Sequence, residues 1–355
     1  MRVLIVDSGK SWRGGQGQAF LLSQGLRERG HGVTVVAPES SPLSQKMVSI
    51  GIPVRPINQS SELDLLSGVR LARLSKEIEP DIVHAHTSRS LAVARLAQLL
   101  GLKGKLVVTR HLTRRPMNYF KYHRGVSRFI AVSNAVQSSL ESAGIPEGSI
   151  DVVRNGVRLQ RQQSHNAVPR TGLKGPVSLV AIGALTPEKN YPTLIEAAKL
   201  AQIEGANVRW TVLGEGRERA RLSRLIKKTS VPVELRGHVP DVSPYLAEAS
   251  ALVHTATAEA LGSGILEALA MGVPVVATRV GGIPEVITPE VGTLVDPTDA
   301  SQIWRETSAW ITDPPGRDAV RETGPKVAAR FDVDLMIEGT LRSYDKALND
   351  YKSLR

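Results

Sequence analysis

Two glutamates, Glu259 and Glu267, are the residues of this sequence best placed to do chemistry. Glu259 adjoins the glycine-containing stretch 260–264, and Glu267 lies in a run of good helix formers that Gly272 and Pro274 terminate. A helix that begins directly after such a loop offers its free N–H groups to an anion such as phosphate. Nearby carboxylates can accept hydrogen bonds from hydroxyl groups. The stretch indicates a nucleotide-sugar site, although each glutamate alone also fits an ordinary solvated surface.

Two series of alternating strand and helix patterns position these residues. The first opens with an apolar strand pattern at 3–6 that runs into a glycine-rich turn at Gly14 and Gly15. The second opens with a strand pattern at 177–182, and the polar, aperiodic stretch 158–174 separates the two series. Such alternation is typical of parallel sheets covered by helices. The sequence therefore predicts two α/β, Rossmann-like domains with a ligand between their strand ends.

Two histidines, His86 and His111, end predicted strands in the first series. In open α/β sheets, ligands bind at the carboxyl ends of the strands. Two histidines on neighbouring strand ends are as consistent with ligand contact as with a structural role.

Length and composition narrow the class of protein. A chain of 355 residues exceeds what one core usually serves, and the absence of cysteine excludes disulfides and thiolate metal sites. The apolar residues 3–6 read as a first strand rather than a signal peptide, and no apolar segment approaches the roughly 20 residues of a membrane span. We expect a cytoplasmic protein.

The positive charge of the chain is unevenly placed. Lysine and arginine number 45 against 34 acidic residues, and the stretch 82–140 contains no acidic residue. A field of this kind attracts phosphates, nucleic acid or an anionic membrane, but it also fits a merely soluble basic face. Aromatic residues lie among its cations, which are candidates for an acceptor or membrane patch: Arg110, Arg114, Arg115, Lys121 and Arg124.

Five motifs in the second half carry a family resemblance: 183–190, 212–216, 235–239, 259–267 and 281–285. Their order and spacing resemble those of the retaining glycosyltransferases of the GT4 family. The first half fits that pattern through the Gly14-Gly15 turn and its strand-end histidines, so the resemblance covers nearly the whole chain.

The resemblance implies the GT-B fold, in which two Rossmann-like domains face each other across a cleft. It places an acceptor domain at 1–160, a linker at 161–174 and a donor domain at 175–334. A C-terminal helix at 335–355 is expected to pack back on the first domain.

The resemblance also implies roles for individual residues. Glu267 is similar to the carboxylate that holds the donor ribose, and Glu259 to the residue that contacts the transferred sugar. Ala184 stands where the family often has an arginine for the diphosphate. The remaining implied contacts fall into four groups: the diphosphate, with Lys189, the backbone of Leu261, Gly262, Ser263 and Gly264, and Gly15 from the other domain; the base, with Arg236 and His238; the sugar and acceptor, with His111 and His86; and catalysis, with Glu259, His111 and His86.

The resemblance further implies a reaction without a metal or other cofactor, because N–H groups and Lys189 can stabilise the departing diphosphate. The expected acceptor is an anionic, lipid-linked or lipopolysaccharide-type saccharide, met at the inner face of the cell membrane, and no nucleic acid partner is expected. A sugar-nucleotide-modifying enzyme of related fold, such as an epimerase, and a non-catalytic binder of anionic glycans are the alternatives. Slow hydrolysis of a nucleotide sugar without acceptor would separate the transferase from both.

Overall fold

A computed structural model of the chain describes residues 1–114, 125–159 and 176–349. These residues form two compact units: unit 1 is Met1–Gly156 together with the segment from Val333, and unit 2 is Val157–Asp332. The domain boundaries expected from the sequence were 160, 175 and 335. The expected linker, 161–174, lies outside the described residues.

Unit 1 is built on a seven-stranded sheet with the strand order β3-β2-β1-β4-β5-β6-β7. All neighbouring strands are parallel. The order reverses direction between β1 and β4, which is where open α/β sheets bind ligands. The strands are β1 (Arg2–Val6), β2 (Gly32–Ala37), β3 (Val54–Pro56), β4 (Ile82–Ala85), β5 (Lys105–Arg110), β6 (Arg128–Ala131) and β7 (Ile150–Val152). Its helices up to Gly156 are α1 (Gly14–Glu28), α2 (Pro42–Ser49), α3 (Leu65–Ile78), α4 (Ser88–Leu99) and α5 (Asn134–Glu141).

Unit 2 repeats this plan with a six-stranded sheet in the order β10-β9-β8-β11-β12-β13. Its strands are again parallel, and its order reverses between β8 and β11. The strands are β8 (Val177–Ile182), β9 (Val208–Leu213), β10 (Val233–Gly237), β11 (Ala251–His254), β12 (Val275–Thr278) and β13 (Gly292–Val295). The helices are α6 (Tyr191–Ile203), α7 (Arg219–Thr229), α8 (Ser243–Glu248), α9 (Ser263–Ala270), α10 (Ala300–Thr312) and α11 (Pro314–Ala329).

Local sequence explains where these elements begin. The central strands are largely apolar, as expected for parallel strands buried on both faces: all four residues of β11, including His254, are buried. Six of the described helices begin after a side chain that accepts a backbone N–H and so satisfies one of the free donors at the helix start. These caps are Ser41 for α2, Asp64 for α3, Thr87 for α4, Ser133 for α5, Asp299 for α10 and Asp313 for α11.

The last helix, α12 (Val333–Asn349), belongs to unit 1 although it follows unit 2 in the chain. Ile337 and Tyr344 lie in the unit 1 core, where Ile337 contacts α1 so closely that Gly25 has no room for a Cβ. Asp151 accepts hydrogen bonds from Lys346 at 2.6 Å and from Ser343. No helix in the described ranges is both long and apolar enough to cross a membrane.

Candidate functional site

The loop between β11 and α9 presents a helix start at the carboxyl edge of the unit 2 sheet. Gly262 precedes α9 with a φ of 92°, a left-handed conformation that glycine adopts without strain. The N–H groups of Ile265 and Leu266 donate to the Gly262 carbonyl at 3.0 and 3.2 Å. The N–H groups of Ser263 and Gly264 precede these bonds, so they are the free donors of the first turn. This end of α9 can therefore bind an anion.

Glu259 forms an ion pair with Lys189 beside this helix start. Its Oε2 also accepts from His254 Nε2 at 3.1 Å, and its Oε1 accepts from the Ala260 N–H at 3.1 Å. Burial opposes ionisation of Glu259, but the Lys189 charge and the His254 hydrogen bond outweigh it and hold the pKa well below its usual range. Glu259 is thus an ionised carboxylate that already accepts hydrogen bonds from three donors.

Lys189 is held in place by the loop that follows β11. The Thr255 hydroxyl donates to the carbonyls of Lys189 and Asn190 at 2.9 and 3.2 Å. A Cβ built on Gly183 would stand 3.2 Å from Lys189 Cε, and one built on Gly262 would stand 3.6 Å from Glu259 Cγ. The loops after β8 and β11 therefore bring the cation, the carboxylate and the α9 start together.

Glu267 lies on α9, the same helix whose first turn offers Ser263 and Gly264. Its side chain is half-buried. Burial, with a smaller contribution from Asp241, raises the pKa of Glu267 to about 7. A carboxyl that is desolvated in this way gains from a hydroxyl donor brought by a ligand.

Three other predicted donor residues occupy different surroundings. The Leu261 side chain is fully buried in the unit 2 core, so only its backbone is available. Arg236 and His238, at the end of β10, are exposed. Arg236 bonds Tyr245 Oη at 2.9 Å, and neither it nor His238 pairs with Lys189 or Glu259 in the described structure. Ala184, in the loop after β8, is half-buried.

In unit 1, the two predicted histidines meet at the carboxyl ends of β4 and β5. The rings of His86 and His111 stack with centroids 5.7 Å apart, and His111 Nε2 lies 3.5 Å from His86 Nδ1. A Cβ on Gly15, in the first turn of α1, would stand 3.4 Å from the His111 ring. The structure thus brings together Gly15, His86 and His111.

A third histidine, His84, extends this row into the core. The centroid of its ring lies 4.2 Å from the centroid of the His86 ring. It bonds Tyr344 Oη through Nδ1 and Thr109 Oγ1 through Nε2, both at 2.7 Å. Burial, and then the charge of His111, lowers the pKa of His84 to about 3, while burial and Arg110 lower that of His111 to about 4. Burial also holds the pKa of His86 well below its usual range, so all three rings are neutral at pH 7.

The predicted basic patch is only partly described. Arg110 is buried rather than exposed, and its guanidinium bonds Ser88 Oγ at 3.0 Å and the Arg114 carbonyl at 2.6 Å. Arg114 is exposed. Arg115, Lys121 and Arg124 lie outside the described residues.

Sequence reasoning missed the partners of these side chains. His254 ends β11 as His86 follows β4, so the strand-end argument could have found it. Tyr344 and Thr109 become partners of His84 only through the fold, because Tyr344 lies 260 positions away in the chain. Among the described residues, no group of three His, Asp or Glu side chains is arranged to hold a metal ion.

Two family models match successive parts of this chain. "Glycosyltransferase Family 4" matches residues 12–161, and "Glycosyl transferases group 1" matches residues 166–327. The chain belongs to the GT4 family of glycosyltransferases. Its two parallel sheets are those of the GT-B fold.

Curated relatives of this GT4 chain include glycosyltransferases of polysaccharide and mannoside assembly. The colanic acid biosynthesis glycosyltransferase WcaL of Salmonella typhimurium is 28% identical over 68% of this chain, and the match spans 64% of the relative. The GDP-mannose-dependent alpha-mannosyltransferase of Mycobacterium tuberculosis is 28% identical over 74% of this chain and 75% of its own length.

A solved structure supports the fold assignment of the GT4 chain. Anabaena HepE, in complex with UDP and glucose, superposes with a TM-score of 0.84. The match covers 97% of this chain and 99% of HepE at 22% identity, so the superposition shows a shared fold and no more.

Proposed function

We propose that the protein is a retaining glycosyltransferase. It moves a sugar from a nucleotide-diphosphate donor to an anionic, lipid-linked or lipopolysaccharide-type saccharide. The donor is bound by unit 2, and the acceptor is received by unit 1.

One observation carries this proposal: Lys189 and the free N–H groups of Ser263 and Gly264 flank Glu259. A departing diphosphate gains negative charge as the glycosidic bond breaks. An ammonium and a helix start that are already in place stabilise that charge without rearranging. The same positive groups bind the diphosphate before the reaction.

The two glutamates then have separate roles. Glu267 accepts hydrogen bonds from the ribose hydroxyls, which supply the donors that its desolvated carboxyl lacks. Glu259 lies nearer the diphosphate groups and contacts the transferred sugar.

Retention in this proposal follows same-face attack, with the departing phosphate assisting removal of the acceptor proton. Glu259 is not required to act as a covalent nucleophile. The reaction is expected to proceed without a metal, because Lys189 and the α9 N–H groups supply the positive charge. Persistence of activity in excess EDTA supports this assignment, and an absolute need for Mg²⁺ contradicts it.

The relatives support a nucleotide-sugar donor without fixing its base. HepE was solved with UDP and glucose, and the mycobacterial relative is named as GDP-mannose-dependent. A thermal-shift panel of UDP, GDP, ADP and CMP sugars identifies the base, since a ligand at 100 times its dissociation constant adds about 2.7 kcal/mol.

The functional test uses the sugar nucleotide that gives the largest thermal shift. Slow release of nucleoside diphosphate without acceptor is expected, and ¹H NMR should show that the anomeric configuration of the donor is kept in the freed sugar. Release with inversion overturns the retaining mechanism. Conversion to another sugar nucleotide, without release, identifies an epimerase-like enzyme instead.

The acceptor proposal rests on charge and on the named relatives, one of which serves colanic acid biosynthesis. Arg114 is exposed, and the cations that follow it extend the positive sequence stretch. At the cytoplasmic membrane face each such residue contributes about 1 kcal/mol near anionic lipid, so binding should fall steeply with salt.

Vesicle sedimentation tests this part. Wild type is expected to sediment with anionic but not neutral vesicles, and the Arg114→Ala/Arg115→Ala/Lys121→Ala variant is expected to stay in solution. If the protein sediments equally with anionic and neutral vesicles, or if the variant sediments as well as wild type, the basic stretch is an ordinary solvent-exposed surface with no membrane role.

A further inference from the structure

His254 is a buried histidine that contacts the reactive carboxylate but has no role in the function proposed so far. It ends β11, is 5% exposed, and bonds Glu259 through Nε2 at 3.1 Å. Because Glu259 is ionised, His254 must donate this bond, so its proton resides on Nε2. Lys189 contacts the same oxygen, Oε2, while Oε1 is bonded by the Ala260 N–H.

The function proposed above gives Lys189 a second anionic partner. Once a donor diphosphate is bound, the Lys189 ammonium must be shared with it or must leave Glu259 altogether. The Glu259 side chain is only 15% exposed, so without His254 it would be left with little solvent and one backbone N–H. A buried carboxylate that loses its partner is strongly destabilised.

We propose that His254 is a positioning residue that keeps Glu259 in place after Lys189 has turned to the donor diphosphate. The inference rests on the proposed function, because it needs a diphosphate at Lys189. His254, at the end of β11, would then hold Glu259 towards the transferred sugar when the ion pair between Lys189 and Glu259 opens.

This arrangement also couples donor binding to a proton. In the structure, burial and the Lys189 charge lower the pKa of His254, while Glu259 acts in the opposite direction. Burial and Glu259 raise the pKa of the Tyr191 hydroxyl, so Tyr191 stays neutral beside this carboxylate. When Lys189 moves away, one of the two lowering causes is removed. The pKa of His254 must rise, and His254 takes up a proton as its pairing with Glu259 strengthens.

The first test uses side-chain ¹⁵N NMR of the histidines with inorganic pyrophosphate as the probe. Without ligand, His254 should be neutral with its proton on Nε2. Saturating pyrophosphate should raise its pKa by about one pH unit. The Lys189→Met variant should show the same raised pKa without any ligand, because it removes the ammonium permanently.

Three results would overturn the inference. A proton on Nδ1 of His254 in the free protein excludes donation to Glu259. A His254 pKa that stays constant when pyrophosphate binds removes the coupling but leaves the diphosphate site intact. Failure of pyrophosphate to bind at all removes the proposed diphosphate site, and the inference with it.

A second test compares His254→Gln with His254→Leu, since glutamine retains an N–H donor and leucine does not. Calorimetry of pyrophosphate binding in buffers of different ionisation enthalpy counts the protons taken up. Wild type should take up more protons than either variant, and His31→Gln, on unit 1, should match wild type.

Release of nucleoside diphosphate from the donor identified by the thermal-shift panel should fall about 10- to 100-fold in His254→Leu. Most of that loss should be recovered in His254→Gln; equal activity of both variants and wild type contradicts the positioning role.

Discussion

The carboxyl edges of the two sheets share one topology, but one edge carries charged side chains and the other neutral ones. At the unit 2 edge, a carboxylate and an ammonium, Glu259 and Lys189, are both ionised beside a helix start. At the unit 1 edge, His84, His86 and His111 form a row of neutral rings. The repeated fold thus supplies the place for a ligand, while the side chains decide which ligand it can bind.

The cause of the difference is the availability of a counterion. Glu259 is desolvated, but Lys189 offsets that cost. The histidines are desolvated, no carboxylate of the described residues offsets that cost, and a charge on one ring opposes a charge on the next. A charged edge suits a diphosphate, and a neutral edge of hydrogen-bonding rings suits sugar hydroxyls.

The largest expected effect is a different response of the two units to acid. The histidines of unit 1 have folded-state pKa values below their ordinary 6.5, so the unfolded chain binds protons first. The stability they contribute is therefore lost as the pH falls from 6.5 towards about 4. Each fully shifted group contributes about 1.4 kcal/mol per pH unit.

In unit 2, Glu267 acts with the opposite sign. Its folded-state pKa of about 7 exceeds the ordinary 4.5, so the folded form binds the proton and gains stability as the pH falls from 7 to 4.5. His254, whose pKa is lowered, offsets part of that gain. In unit 1, burial raises the pKa of Asp7, so Asp7 adds stability as the pH falls and offsets part of the loss caused by the three histidines.

Hydrogen exchange followed by mass spectrometry measures this comparison. Between pH 7 and pH 5, after correction for intrinsic exchange rates, strands β4 and β5 should lose protection while β8 and β11 change little. Unchanged protection of β4 and β5 would show that the histidines are not held neutral, and equal loss in both units would contradict the difference between the units.

The next largest effect is expected from Glu259→Gln, which removes the negative charge from the unit 2 edge. Turnover of the sugar nucleotide should fall about 100-fold or more, because a preorganised charge next to the reacting sugar is lost. Steady-state release of nucleoside diphosphate measures the change. Glu196→Gln, an exposed residue paired with Lys199 on α6, is the matched control and should retain wild-type turnover. Comparable losses in both variants would remove the special role of Glu259.

Lys189→Ala should weaken binding of a nucleoside diphosphate about 10- to 100-fold, because one charge-assisted contact to phosphate is lost. Binding of the bare nucleoside should stay within about 2-fold of wild type, since its partners lie elsewhere. Calorimetry with both ligands provides the comparison. A parallel loss for the two ligands would place Lys189 away from the phosphates.

The smallest effect is expected from Glu267→Gln on stability. At pH 8 the ionised Glu267 carboxylate is desolvated, so the neutral amide should raise the free energy of unfolding by about 1–2 kcal/mol after allowance for solvent screening. At pH 5 the folded Glu267 is protonated while the unfolded residue still ionises in part, so the difference between the two proteins should shrink to less than half of its value at pH 8. Thermal or denaturant unfolding at the two pH values measures the difference, and a variant less stable at pH 8 would contradict the raised pKa.

Much of the fold was predictable because parallel strands are short apolar runs bounded by glycine and polar residues. The strand pattern at 177–182 predicted β8 as the structure has it, and the expected helix after the glycine-containing loop is α9, which begins at Ser263. The helix α2 was missed, because its eight residues carry little periodic signal.

The site was less predictable than the fold, because partnership between side chains depends on loops. The spacing of Glu259 and Glu267 is visible in the sequence, but the opposite pKa shifts of the two glutamates are not. Those shifts follow from burial and from Lys189, which is 70 positions from Glu259. The row of histidines likewise depends on Tyr344, which only the packing of α12 on unit 1 brings to His84.

The most direct test of the division between the two glutamates is calorimetry of the free nucleoside diphosphate, UDP or GDP, whichever binds wild type. Glu267→Ala should weaken binding about 10- to 100-fold, because the ribose hydroxyls lose their acceptor. Glu259→Ala should bind as tightly as wild type or more tightly, because Lys189 no longer has to leave a carboxylate to reach the phosphates. Equal weakening in the two variants would contradict the separate roles of the two glutamates at the unit 2 edge.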